Sequence, residues 1–262
     1  MLNIDHGMTL NAPTSGDERR TVSLTSPDLE RDITVRLASD GDARNSARML
    51  VNRMYSWRGY GDRHVIPIAP THATFTASDE EQTVGTITLA IDSPKGLAAD
   101  KIFRDEIDVF RRMPGAKVCE LTKLAFDAEV PSKPLLASLF HIVFIYGQRR
   151  HQCTDLFIEV NPRHRRFYEV MLGFQAIGEL KTNESVAAPA QLMWLKVSDI
   201  RKQIDHHARR RGIVVRSLYQ FFFSPREEDG IYARLVGTDT PVTCFPHLGH
   251  AAPDVQPIAA FG

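Results

Sequence analysis

Ile33-Thr-Val-Arg-Leu37 alternates apolar and polar residues, the period of a half-buried strand. Asp42 follows as a candidate helix cap. Ala43, Ala47, Leu50, Val51, Met54 and Tyr55 recur at helical spacing and define one apolar face. Gly59, Gly61, Pro67 and Pro70 break that pattern into a loop. Two runs, Ala73 to Ser78 and Thr83 to Ile91, are joined by the polar turn Asp79-Glu80-Glu81-Gln82 and predict an antiparallel hairpin. A helix is expected from Ala98 to Arg112, ended by Pro114-Gly115, and a strand from Lys117 to Phe126. Pro131 and Pro134 flank the start of another helix. Its residues Leu135, Leu136, Leu139, Phe140, Val143 and Phe144 make so broad an apolar face that deep packing is expected. Asp155 to Val160 predicts a strand, which Asn161-Pro162 stops while opening a short helix to Met171. Phe174 to Leu180 and Gln191 to Val197 are the closing strands. The resulting order, β-α-β-β-α-β-α-β-α-β-β, predicts an α/β sheet with parallel and antiparallel neighbours.

The ends differ from this middle. Residues 1–30 are polar and aperiodic and are expected to form a flexible arm. The main domain is expected over residues 31–208 and a C-terminal extension, partly disordered, over 209–262. The extension carries Val214-Val215, Leu218-Tyr219 and Phe221-Phe222-Phe223, apolar enough to cover a sheet edge or a groove.

Composition narrows the function mainly by exclusion. Lys plus Arg equals Asp plus Glu, 32 each, so the overall charge calls for neither nucleic acid nor an anionic membrane. The short run Arg209-Arg210-Arg211 reads as a solvated face. Cys119, Cys153 and Cys244 fit neither a disulfide framework nor a zinc site, so no metal is expected. No apolar run approaches the roughly 18 residues of a membrane span, and no signal peptide is evident, so a cytoplasmic location is expected.

Three segments, in order, carry a resemblance. They are Gly85-Thr-Ile-Thr-Leu-Ala-Ile-Asp-Ser-Pro-Lys-Gly-Leu97, Cys119-Glu-Leu-Thr-Lys-Leu-Ala-Phe-Asp127, and Ile158-Glu-Val-Asn-Pro-Arg-His-Arg-Arg-Phe-Tyr-Glu-Val-Met-Leu-Gly-Phe174. With the element order, they resemble the FeeM-type N-acyl amino acid synthases, GNAT-fold enzymes related to acyl-homoserine-lactone synthases. The resemblance implies a GNAT α/β fold and transfer of a long-chain fatty acyl group from acyl carrier protein to an amino acid. The product would be an N-acyl amino acid, and the related lactone synthases make signals. No permanently bound cofactor is implied; the donor would be the acyl-phosphopantetheine of the carrier, or acyl-CoA. Two alternatives stand beside this reading: a lactone-type synthase using S-adenosylmethionine, and a catalytically silent acyl-sensing GNAT domain.

Acyl transfer to an amine needs a proton acceptor, donors for the developing oxyanion, a proton for the thiolate and exclusion of water. Glu120 is the candidate base. Alternation turns it to the face opposite Cys119 and Leu121, and it matches an acidic position of the lactone-synthase relatives. Lys123 is a candidate for the acceptor carboxylate, but it has the opposite strand parity to Glu120, so both reach one cleft only across a bulge. A splayed strand, as in GNAT proteins, would leave backbone amides near Leu124 and Ala125 as oxyanion donors. Glu106 fits an acidic position typical of the family; with Asp105 and Asp108, it also reads as a solvated helix face. Asn161, Arg163 and His164 sit at a helix start, which favours anionic partners. Tyr168 stands seven residues beyond Asn161, the spacing of the tyrosine that protonates the thiolate in many GNAT enzymes. The position of Gly173, one residue late for that pattern, leaves the helix phase open and His164 as the substitute. Arg53 and Trp57 belong to the first helix, a region that covers the acceptor or acyl chain in relatives; surface packing is the alternative. Residues 127–134 lack glycine, which disfavours a pyrophosphate cradle and hence coenzyme A.

Overall fold

The computed structural model describes residues 21–24, 33–79, 82–127, 133–209 and 216–237. Most of the expected arm, all of residues 238–262, the Arg210-Arg211 part of the basic run, Val214-Val215 and Cys244 lie outside the described residues, as does most of the glycine-free segment. The elements in order are β1 (Thr21–Leu24), β2 (Ile33–Leu37), α1 (Gly41–Trp57), β3 (His72–Asp79), β4 (Gln82–Ile91), α2 (Asp100–Arg111), β5 (Val118–Phe126) and α3 (Lys133–His151). They continue as β6 (Asp155–Val160), a 3-10 turn (Pro162–His164), α4 (Arg165–Leu172), β7 (Gln175–Asn183), β8 (Ala188–Lys196), α5 (Val197–Arg209), a second 3-10 turn (Tyr219–Phe221) and α6 (Pro225–Val236).

The eight strands form one sheet in the order β1-β2-β3-β4-β5-β6-β8-β7. Only the central β5–β6 pair is parallel; the other pairs are antiparallel. This is the mixed GNAT α/β sheet that the resemblance implies. Strand alternation gives the sheet two cores. Leu89, Cys119, Leu121, Leu156, Ile158 and Met193 pack with α3, α4 and α5 on one face. Ala90, Val118, Phe157 and Leu192 pack with Phe103 and Ile107 of α2 on the other. Ala43, Ala47, Leu50, Val51 and Met54 are the buried face of α1, as their spacing predicts.

Two expectations need correction. Asp40, not Asp42, caps α1: its extended backbone lets Oδ1 accept from the Ala43 amide at 2.7 Å. Residues 21–24, inside the expected flexible arm, form a strand on β2 that buries Val22; four residues are too few for alternation to register in the sequence. Within the extension, residues 216–237 are described, and α6 there begins with a capping box between Ser224 and Glu227.

That extension explains why α3 is buried almost all round. The sheet takes one side, and α6 with the preceding aromatic turn takes another. His141 of α3 is fully buried between them. Its Nδ1 accepts from the Phe223 amide at 2.9 Å, which places its proton on Nε2, 3.1 Å from Glu228 Oε1. Arg201 of α5 donates to both oxygens of Glu228, at 2.8 and 2.7 Å. Burial alone would raise the Glu228 pKa, but hydrogen bonds from His141 and Arg201 outweigh it and hold the carboxyl down at about 2.

The sign of the pH effect follows. A carboxyl depressed from its ordinary 4.5 supplies stability that is complete above 4.5 and is lost as the pH falls towards 2. Glu228→Gln should destabilise the protein at pH 7 by roughly 3 kcal/mol. In urea unfolding, the gap between wild type and variant should narrow at pH 3; an equal gap at both pH values would contradict the assignment.

Candidate active site

The site grows from the parallel pair at the centre of the sheet. β6 accompanies β5 only from Val118↔Asp155 to Leu121↔Ile158. Beyond Leu121, β5 stays on β4 while β6 stays on β8 as far as Val160↔Gln191, so the two strands part. At the parting, β5 carries an extra residue: Thr86 pairs with Ala125 but Thr88 with Thr122. Lys123 takes up the bulge at φ 54°. A left-handed conformation at a non-glycine residue is strained by roughly 1–3 kcal/mol, a cost typical of functional sites.

The bulge resolves the parity conflict. Glu120 and Lys123 both line a cavity of about 540 Å³ over the parted strands. Tyr55, Tyr60, His64, Lys101, Glu159, Asn161 and Asn183 line it as well. Under its floor, a cavity of about 50 Å³ lies in the parting itself, lined by Leu121, Lys123, Leu124, Phe140, Val160 and Tyr168 among others. Behind that, Leu121 and Phe140 also line a narrow apolar groove of about 30 Å³ on the α3 face.

Glu120 is only 1% exposed. Its Oε2 accepts from the amides of Ala98, at 2.8 Å, and Ala99, at 3.3 Å, at the start of α2. Oε1 makes no hydrogen bond among the described residues. Desolvation pushes the pKa up to about 8, although the two amides pull the other way. A carboxyl so placed is poised between its two states near neutral pH. The turn that supplies the amides is held by Arg111, which bonds Asp92, Asp100 and Asp108 at 2.7–2.9 Å. Asp100 in turn accepts from the Leu97 amide at 2.7 Å. Gly96 turns the chain at φ 75°, where a Cβ would overlap the Asp100 carboxylate.

Burial lowers the Lys123 pKa, and Glu120 opposes that fall. Its ammonium forms no ion pair within 4 Å among the described residues. Tyr55 donates to the Leu124 carbonyl at 3.4 Å and meets the His64 ring edge-on at 4.7 Å. Tyr168 is buried at the parting, near β5, and desolvation raises its pKa, so its hydroxyl keeps its proton.

The remaining candidates separate. Asn161 lines the large cavity and donates to the Tyr60 hydroxyl at 3.1 Å. Arg163 bonds the same hydroxyl at 3.0 Å and His164 at 3.0 Å, but neither is among the lining residues; burial pushes His164 down to about 4. The bulge brings Ala125 into phase with Glu120, and its side chain packs under α1, outside the cavity lining. Glu106 lies over Gly178 and pairs with Lys181 at 2.6 Å, since that side of α2 rests on β7. Arg53 pairs with Asp127 at 2.6 Å, and Trp57 is 70% exposed with the Arg58 guanidinium over its ring. Both fall outside the buried face of α1 and away from the cavity lining. The sequence reading missed Tyr60, His64, Lys101, Glu159 and Asn183. The one signal was a glycine-interrupted loop rich in aromatic and titratable residues, Tyr60-Gly-Asp-Arg-His64.

Comparison with known proteins places the chain that carries this site. The model of one family, described as N-acyl amino acid synthase FeeM, matches residues 46–196. The chain belongs to the FeeM family. The solved structure of FeeM from uncultured soil microbes is 31% identical, covers 65% of this chain and 94% of its own, and superposes with a TM-score of 0.58. The AHL synthase LasI is 12% identical over 63% of this chain and 90% of its own, with a TM-score of 0.47. An acyl-CoA N-acyltransferase from Pseudomonas aeruginosa is 14% identical over 62% of this chain and 97% of its own, with a TM-score of 0.45. No curated protein matches. As a FeeM-family member with a GNAT fold, the protein is an N-acyltransferase. Among the described residues, no helix is long and apolar enough to cross a membrane, and no group of three His, Cys, Asp or Glu is placed to hold a metal.

If Glu120 is the base of this FeeM-family site, only its ionised form works. The value of kcat/KM should then climb with pH and level off above about 8. Glu120→Gln should lower kcat by roughly 10²-fold without loss of fold. Near wild-type turnover in the variant, or a pH-independent rate between 6 and 9, would rule the role out.

Proposed function

We propose that the protein moves a long-chain fatty acyl group from the phosphopantetheine arm of acyl carrier protein to the amine of an amino acid, giving an N-acyl amino acid. The catalytic unit is the GNAT domain, residues 31–208, and the extension packs behind it. The observation that carries this reading is the buried Glu120 carboxyl, with a raised pKa, facing the same cavity as the Lys123 ammonium, which has no ion pair among the described residues. An amino acid presents one ammonium and one carboxylate, and the two side chains answer them in turn.

In this reading Lys123 holds the acceptor carboxylate while Glu120 takes a proton from the ammonium. The freed amine attacks the thioester carbon and a C–N bond forms. The carbonyl oxygen becomes negative beside the β5 amides near Leu124, which have no β6 partner. The intermediate collapses with cleavage of the C–S bond: Tyr168, lining the parting, supplies a proton to the thiolate, the second proton of the attacking nitrogen restores the Tyr168 hydroxyl through solvent, and Glu120 releases the first proton to solvent. Asn161 and Tyr60 close one side of the cavity around the acceptor.

The run of cavities supports the long chain. From the parting onward, the groove behind Leu121 and Phe140 is walled by Leu89, Val143, Phe144 and Leu156, which match an acyl tail and not an acetyl group. The glycine-free segment 127–134 supports the carrier over coenzyme A, because the backbone approaches a pyrophosphate closely only with glycine there.

The test is to incubate the protein with a long acyl chain on acyl carrier protein or on coenzyme A, with pooled amino acids and S-adenosylmethionine. The expected product has the mass of an N-acyl amino acid, with a higher kcat/KM from the carrier. Equal kcat/KM for both donors would overturn the carrier assignment, a lactone product would overturn the acceptor, and no turnover would overturn the whole reading.

A further inference from the structure

The apolar groove behind the parted strands has a wall that the family match does not account for. Its floor is the sheet, through Leu89, Cys119, Leu121, Leu156 and Leu195. α3 bounds it with Phe140, Val143, Phe144 and Gly147, and the start of α5 with Val197 and Ile200. The remaining lining includes Tyr219 and Phe222, in the extension beyond the matched residues 46–196. The turn that carries them packs against both α3 and α5, so it bridges the two helices across from the sheet.

This roof is built and anchored. Tyr219 donates its hydroxyl to the Leu172 carbonyl at 2.8 Å, and the Leu218 amide bonds the Met171 carbonyl at 2.9 Å. Phe222 stacks on His141 at 4.4 Å and packs on Tyr219 at 4.8 Å. The next residue, Phe223, gives its amide to His141, which Glu228 holds from α6. Phe222 itself is half-buried: His141 covers one face of its ring, and the ring is part of the groove lining.

We propose that this aromatic segment of the C-terminal extension is the roof of the acyl groove, and that Phe222 sets the length of acyl chain the enzyme accepts. The inference rests on the reading of that groove as the acyl site. At about 30 Å³ the groove has room for about one methylene, so a long chain enters only by displacing lining side chains, and the half-buried ring of Phe222 is one that can yield towards solvent. Its removal lengthens the groove towards solvent, and a larger ring shortens it. Because the anchors belong to Tyr219, Phe223 and Glu228, exchange of the Phe222 side chain leaves the segment tied down.

The experiment measures kcat/KM for a ladder of saturated acyl chains on acyl carrier protein, with one amino acid acceptor, for wild type, Phe222→Ala and Phe222→Trp. Pocket discrimination per methylene is on the order of tenfold or more. Phe222→Ala should therefore move the optimum to longer chains and raise the long-to-short ratio about tenfold. Phe222→Trp should move it the other way. The KM for the amino acid should stay unchanged in both, which a general loss of structure would not allow. An unmoved chain-length profile in the active variants would overturn the roof while leaving the acyl groove intact. Absence of turnover with every chain in the wild type would overturn the groove and the roof together.

Discussion

The structure depends on how one carboxylate is kept out of water. Glu120 points into the interior from a central strand, and an isolated charge there would be costly. Two amides at the start of α2 make the ionised form tolerable without making it comfortable, and the result is a pKa near 8. Much of the neighbouring sequence serves those amides. Gly96 permits the turn, Asp100 caps it from within, and Arg111 gathers Asp92, Asp100 and Asp108 into one bundle that fixes it to the sheet. Asp105, on the same helix, has no such task. The acidic helix is thus in part a brace for the site.

The second constraint is the parting of β5 and β6. A parallel pair at the centre of an otherwise antiparallel sheet lets the two strands follow different neighbours, and the bulge at Lys123 completes the separation. The opening joins the two faces of the sheet. On one side lies the polar cavity of Glu120 and Lys123, and on the other the apolar groove under α3. A thioester between a polar acceptor and an apolar tail fits that division. The extension closes the apolar side, which is why α3 can afford so little polar surface.

Much of this was legible in the sequence because it rests on period. Asp155 to Val160 is a strand with the expected bounds, and the broad apolar face of Leu135 to Phe144 required cover on more than one side. The opposed parity of Glu120 and Lys123 required a bulge, and one is present. What was not legible depends on partners distant in the chain. Glu106 looks like a ligand in one dimension and is an ion-pair partner of Lys181 in three. Arg53 is claimed by Asp127. Tyr60 and His64 sit in an aperiodic loop, where spacing carries no information and only the fold shows that both reach the cavity. The extension showed its aromatic residues but not its anchor, since His141 and Glu228 are 87 residues apart.

The account stands on the ionisation of Glu120, which can be read without turnover. Carboxyl-labelled glutamate, observed by carbon-13 NMR in wild type and assigned by the signal that Glu120→Gln removes, gives its titration directly. The expected midpoint is near 8. A midpoint at or below about 5, close to an ordinary solvated carboxylate, would contradict it.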